Sequence, residues 1–93
     1  MKLTRKEARN IVQADHQDWV LVPDTMALTG QHRWTIDYVA VFQHVPSGRY
    51  YSLRWTEGAT EMQDQDPFDY EDPNPVEVQQ VERTVKVWEP VDV

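Results

Sequence analysis

Two alternating runs joined by a glycine-bearing turn restrict what this chain can fold into more than any other feature. Across residues 33–44, Trp34, Ile36, Tyr38, Ala40 and Phe42 fall on one side of an extended backbone; Thr35, Asp37, Val39, Val41 and Gln43 fall on the other. That is the period of a strand, whose successive side chains point to opposite faces. Across residues 50–57, Tyr51, Leu53 and Trp55 oppose Tyr50, Ser52, Arg54 and Thr56 in the same way. Between the runs lies Val45-Pro46-Ser47-Gly48-Arg49, where Gly48 is free to take positive φ. An antiparallel hairpin follows, and the face bearing Trp34, Ile36, Tyr38 and Phe42 is the expected core.

The flanking segments complete an α+β domain. Thr4 and Glu7 have the spacing of a reciprocal capping box, with Leu3 and Ala8 at the staple positions. A helix over 4–15 then carries Ala8, Ile11 and Val12 as an apolar stripe and leaves Arg5, Lys6 and Arg9 on its wet side. Residues 18–22 read as a short strand stopped by Pro23-Asp24, and 25–32 as a connecting loop. Residues 76–89 are valine-rich and read as a last strand. Its phase changes between Val78 and Val81, as a bulge near Gln79-Gln80 would require. Pro67, Pro73 and Pro75 keep 58–75 out of a central strand. With 93 residues there is material for one core. The expectation is an N-terminal helix packed on a three- to four-stranded antiparallel sheet, in a single domain over 1–93.

Charge is divided unevenly: residues 1–56 carry a net +2 and residues 57–93 a net −9, together −7. Broad electrostatic binding of a nucleic-acid backbone needs clustered Lys and Arg, so direct nucleic-acid binding is not expected. There is no cysteine, which removes disulfides, thiolate catalysis and Cys-ligated zinc. Asp64-Gln65-Asp66 opens like a calcium loop, but the sixth and twelfth positions are Asp69 and Pro75 instead of Gly and Glu. His16, His32 and His44 lack ligand spacing, and neither Ser47 nor Ser52 sits on a nucleophile elbow. No cofactor, metal or enzymatic activity is expected. The absence of an apolar leader or a membrane-length run makes a cytosolic protein without membrane contact the expectation.

Two surfaces remain as candidates. The stretch 57–72 holds seven carboxylates and no Lys or Arg. Glu57, Glu61, Asp64, Asp66, Asp69, Glu71 and Asp72 would steer a basic protein surface, with Phe68 and Tyr70 as aromatic anchors. The alternative is Arg33, Tyr50 and Arg54, whose guanidinium groups and ring suit a small anionic ligand such as a nucleotide, captured at an interface between copies. The same arginines equally suit ordinary pairing with Asp37, Glu57 or the acidic loop. A third alternative is a virion or assembly component.

Arg33-Trp34 opening a strand, Tyr50-Tyr51 after a Gly turn, and Gly58-Ala59-Thr60-Glu61-Met62-Gln63-Asp64 occur here in order. They are followed by Pro67-Phe68-Asp69-Tyr70-Glu71 and by Glu77-Val78 with Val81-Glu82-Arg83-Thr84-Val85. This pattern resembles a family of small uncharacterised proteins encoded by phages and prophages. The resemblance covers residues 33–89 and leaves the helix outside it. It implies a phage setting and no particular chemistry. In that setting small acidic proteins act by binding host machinery, defence systems included, so the partner implied is the basic surface of a host protein.

Overall fold

The structure, a computed structural model, describes residues 1–59, 65–82 and 84–91. One short helix, α1 (Arg5–Val12), packs on an open antiparallel sheet of five strands: β1 (Trp19–Leu21), β2 (Ala27–Gln31), β3 (Thr35–His44), β4 (Arg49–Gly58) and β5 (Val76–Val78). The β3–β4 hairpin is the backbone of the sheet. Its ladder is unbroken from Thr35 opposite Gly58 to His44 opposite Arg49. Gly48 takes φ +72 in the connection, where nothing crowds it.

β1 and β2 share the other edge of β3, end to end. Trp19–Leu21 pair with Phe42–His44, and Ala27–Gln31 pair with Ile36–Val39. Residues 22–26 bulge away between them. The Thr25 hydroxyl closes the gap, donating to the Val22 carbonyl at 2.8 Å and accepting from the Val41 N–H at 3.1 Å. Residues 25–32, expected to be a connecting loop, therefore hold a strand. Their lack of alternation has a physical reason: four of the five β2 residues are exposed and none is buried, so no core selects a pattern.

The core lies on the α1 side of the sheet. Ala8 and Ile11 of the helix meet Trp19, Ala40, Phe42, Tyr51, Leu53 and Trp55, as the alternation of the hairpin requires. Tyr38 is half-buried against this cluster, and Ile36, also expected there, is only half-buried and is not part of it. Trp34 departs furthest. It sits with Arg33 at the tip of the β2–β3 connection, 52 % exposed, with the Arg33 guanidinium 4.6 Å from its ring centroid. Its expected place in the core is thus corrected: β3 begins at Thr35, so Trp34 lies in the connection, where the parity of the strand no longer decides which side chains are buried.

The N-terminal capping box forms as read, with the Thr4 Oγ1 accepting from the Glu7 N–H at 3.1 Å and Glu7 Oε1 from the Thr4 N–H at 3.2 Å. The helix ends at Val12, short of 15, because Ala14 turns left-handed at φ 61. The N–H groups of Ala14 and Asp15 return to the carbonyls of Ile11 and Asn10 at 3.2 and 2.8 Å, the double bond of a Schellman stop. The last strand is also shorter than the expected 76–89: only Val76–Val78 pair, with Tyr50–Ser52. Residues 79–82 and 84–91 are neither strand nor helix.

Two tests follow. Replacing Ala14 with Gly removes the side-chain penalty of the left-handed position and is expected to stabilise the fold by about 0.5–1 kcal/mol in denaturant unfolding. Phe68, fully buried in the core cluster, should cost about 3–5 kcal/mol on truncation to Ala. Trp34→Ala should change stability by less than about 1 kcal/mol. Equal costs for the two aromatic truncations would contradict this assignment of the core.

Candidate functional site

The acidic segment folds back onto the helix. At its centre, Asp66-Pro67-Phe68-Asp69 forms a tight turn in which the Asp69 N–H donates to the Asp66 carbonyl at 3.2 Å and the Asp66 N–H donates to Asp69 Oδ2 at 2.8 Å. Proline at the second position and positive φ at the third match a type II turn. The third residue is ordinarily glycine; here it is Phe68, at φ 64. The strained backbone is compensated by the ring, which is 0 % exposed and joins the cluster of Ala8, Ile11, Leu53 and Trp55.

Two helix arginines secure this turn. Arg9 donates through Nε to the Pro67 carbonyl at 3.1 Å and through Nη2 to Asp69 Oδ1 at 2.9 Å. Arg5, one turn earlier, donates through Nε to Asp72 Oδ1 at 2.8 Å and through Nη1 to the Asp69 carbonyl at 3.3 Å. Glu71 Oε1 accepts the Thr56 N–H at 3.0 Å, and the Gln65 carbonyl accepts that of Gly58 at 3.0 Å, so the segment also covers part of the free edge of β4.

The candidate residues therefore divide. Phe68 is a core residue and no surface anchor, which corrects its expected role. Glu57 accepts the Trp55 indole N–H at 3.0 Å, while Asp69, Glu71 and Asp72 hold the fold together as described. Asp66 and Tyr70 are left facing solvent, and Tyr70 is 82 % exposed. Asp72 and Glu71 remain accessible beside them despite their bonds. Glu61 and Asp64 lie outside the described residues. Arg5 and Arg9, placed on the wet side of the helix from sequence, are functional residues that sequence pattern alone does not reveal. Their i, i+4 spacing opposite a loop lacking any cation was the available signal.

Arg33, Tyr50 and Arg54 are not brought together. Arg54 pairs with Val39 and Tyr50 with Gln43, whereas Arg33 is at the hairpin tip beyond Thr35. Along a strand that puts Arg33 about 20 Å from Arg54 and farther still from Tyr50, with about 13 Å between Tyr50 and Arg54. Tyr50 instead lines a groove of about 510 Å³ on the helix-free face, with Val22, Asp24, Thr25, Val41 and Val78. Its lining includes one carboxylate and no basic side chain, an environment unlike one that would attract an anion.

At the Arg33 end of the sheet, Asp37 accepts from the Thr56 hydroxyl at 2.7 Å and lies 3.0 Å from His32 Nε2. A Cβ on Gly30 would lie 2.8 Å from Asp37 Oδ2, so a larger residue in the β2 bulge would push the carboxylate from its present position. The Thr56 hydrogen bond, then the His32 contact, holds the Asp37 carboxyl below its ordinary range.

Among the described residues, no helix is long and apolar enough to cross a membrane, and no group of His, Asp or Glu is arranged to hold a metal ion. Comparison of the chain with protein-family models, curated proteins and solved structures finds no match.

Because the folded-state pKa of Asp37 is depressed, its contribution is present above the unfolded value, about 3.9, and is lost as pH falls through the folded one. Thr56→Val should raise the Asp37 pKa toward its ordinary value and shrink the acid-induced loss of stability. A carboxyl-carbon NMR titration checks this; an unchanged Asp37 midpoint would show that Thr56 is not the cause.

Proposed function

We propose that this protein is a non-enzymatic binding module, phage-encoded as the resemblance implies, that engages the basic surface of a host protein through its acidic loop. The observation that supports this most is Tyr70: a large exposed ring on a segment clamped on both sides, by Arg5 and Arg9 through Pro67 and Asp69 before it and by Thr56 and Arg5 through Glu71 and Asp72 after it. An isolated flexible loop would lose conformational freedom on docking, whereas this one meets much of that cost during folding. Tyrosine is among the side chains that concentrate binding energy at interfaces.

The charge around it fits a cationic partner. Residues 65–72 contain four carboxylates, and the two helix arginines neutralise only part of them. Those carboxylates would speed encounter and set orientation, and Tyr70 would supply desolvated contact area. The role assigned to Phe68 becomes indirect: it sets the path of the loop from inside the core. Host proteins with a nucleic-acid-binding face, defence proteins among them, are the partner class with the matching charge.

The test is capture from bacterial lysate by the tagged protein, then titration of the captured basic protein. Tyr70→Ala is expected to weaken binding about tenfold or more without shifting the melting temperature. Raising salt should weaken it further. Equal affinity for the wild type and Tyr70→Ala would remove the loop as the docking surface.

A further inference from the structure

At the opposite edge of the sheet from β5, β1 and β2 pair with no strand but β3 among the described residues. Edge strands usually carry charges that stop them from pairing with other chains. From 19 to 31 this one has a single charged residue, Asp24, which lies in the bulge between the two strands. Val20, Leu21, Met26 and Leu28 are exposed along it, Leu28 at 64 %.

The same chain carries a second segment of β-type composition that, among the described residues, joins no sheet. Residues 81–91 include Val81, Val85, Val87, Trp88 and Val91, all exposed, with Trp88 fully so. The chain's radius of gyration is 16.7 Å, against about 12 Å for a compact domain of this length. The valines at 81, 85 and 87 have one parity, as the apolar face of a strand would. Pro90 marks where such a strand would stop pairing.

We infer that residues 81–91 are an arm that adds as a strand to the β1–β2 edge of a second copy. Charge favours this occupant. The arm has two acidic and two basic residues and so is neutral, and the strands of the edge are uncharged, in a molecule that is −7 in total. Pairing through these segments therefore brings no net charge against net charge, whereas the acidic surfaces of two copies would repel. The area also suffices. Reciprocal exchange would place eleven arm residues and the eight of β1 and β2 on each side, near the roughly 20–30 residues per partner of stable interfaces. The surface is separate from the acidic loop and does not depend on that loop's role.

The experiment uses three full-length chains in sedimentation at high micromolar concentration: wild type, Leu28→Lys on the edge, and Val85→Asp/Val87→Asp on the arm. All three positions are exposed, so circular-dichroism spectra like that of the wild type confirm that folding is intact, while loss of a dimer is expected to lower the melting temperature. The wild type should sediment as a dimer that persists in high salt, and each variant should dissociate at least about tenfold more readily. Tagged arm variant should retain untagged edge variant, because that pair still offers one sound arm and one sound edge. A monomeric wild type, an arm variant that dimerises as well as the wild type through edge-to-edge pairing, or a failure of the variants to combine would each overturn the inference.

Discussion

Phe68 sits where the helix, the sheet and the acidic segment meet, and its burial governs all three. A helix of eight residues is too short to hold itself together in water. Its Ala8 and Ile11 gain a hydrophobic counterpart from a residue sixty positions away, in a turn whose left-handed backbone exists only to aim that ring inward. The surrounding hydrogen bonds then become possible, since the turn brings Asp69 and the Pro67 carbonyl within reach of Arg9. Aromatic burial supplies the driving force; the guanidinium contacts select one arrangement among several that would bury the ring.

The hairpin was legible because both of its long strands face a core on one side, which imposes alternation on Tyr38, Ala40 and Phe42 and on Tyr51, Leu53 and Trp55. The helix start was legible for a local reason, the fixed spacing of Thr4 and Glu7. Where no such selection acts, the pattern is silent. β2 leaves no periodic trace because it buries nothing, and Trp34 carries the parity of the core face yet lies half-exposed at the β2–β3 connection. Valine-rich composition overstated the last strand, since pairing needs a partner and residues 79–82 and 84–91 have none among the described residues.

The candidate site shows the same division. Local composition correctly marked 57–72 as acidic and aromatic, but composition cannot tell a ring that faces water from one that turns inward. Phe68 and Tyr70 are two positions apart and lie at opposite extremes of exposure. Nor could it identify Arg5 and Arg9 as counter-ions, because that pairing joins residues 60 and 67 positions apart. Arg33, Tyr50 and Arg54 looked like a cluster only while the hairpin tip and the strand register were unknown.

Two of the four arginine hydrogen bonds from the helix to the acidic segment go to its main chain. Arg9 Nε and Arg5 Nη1 bind the carbonyls of Pro67 and Asp69, and Gln65 offers its own carbonyl to Gly58. Carbonyl oxygens are the same whatever side chain the residue carries. The path of the loop is thus insulated from the identity of its outward residues, and Tyr70 can be exchanged for other side chains while its position in space is kept. Such separation of support from display is what a display scaffold requires, and a randomised library at positions 66 and 70 would exploit it to select new recognition properties on an unchanged frame.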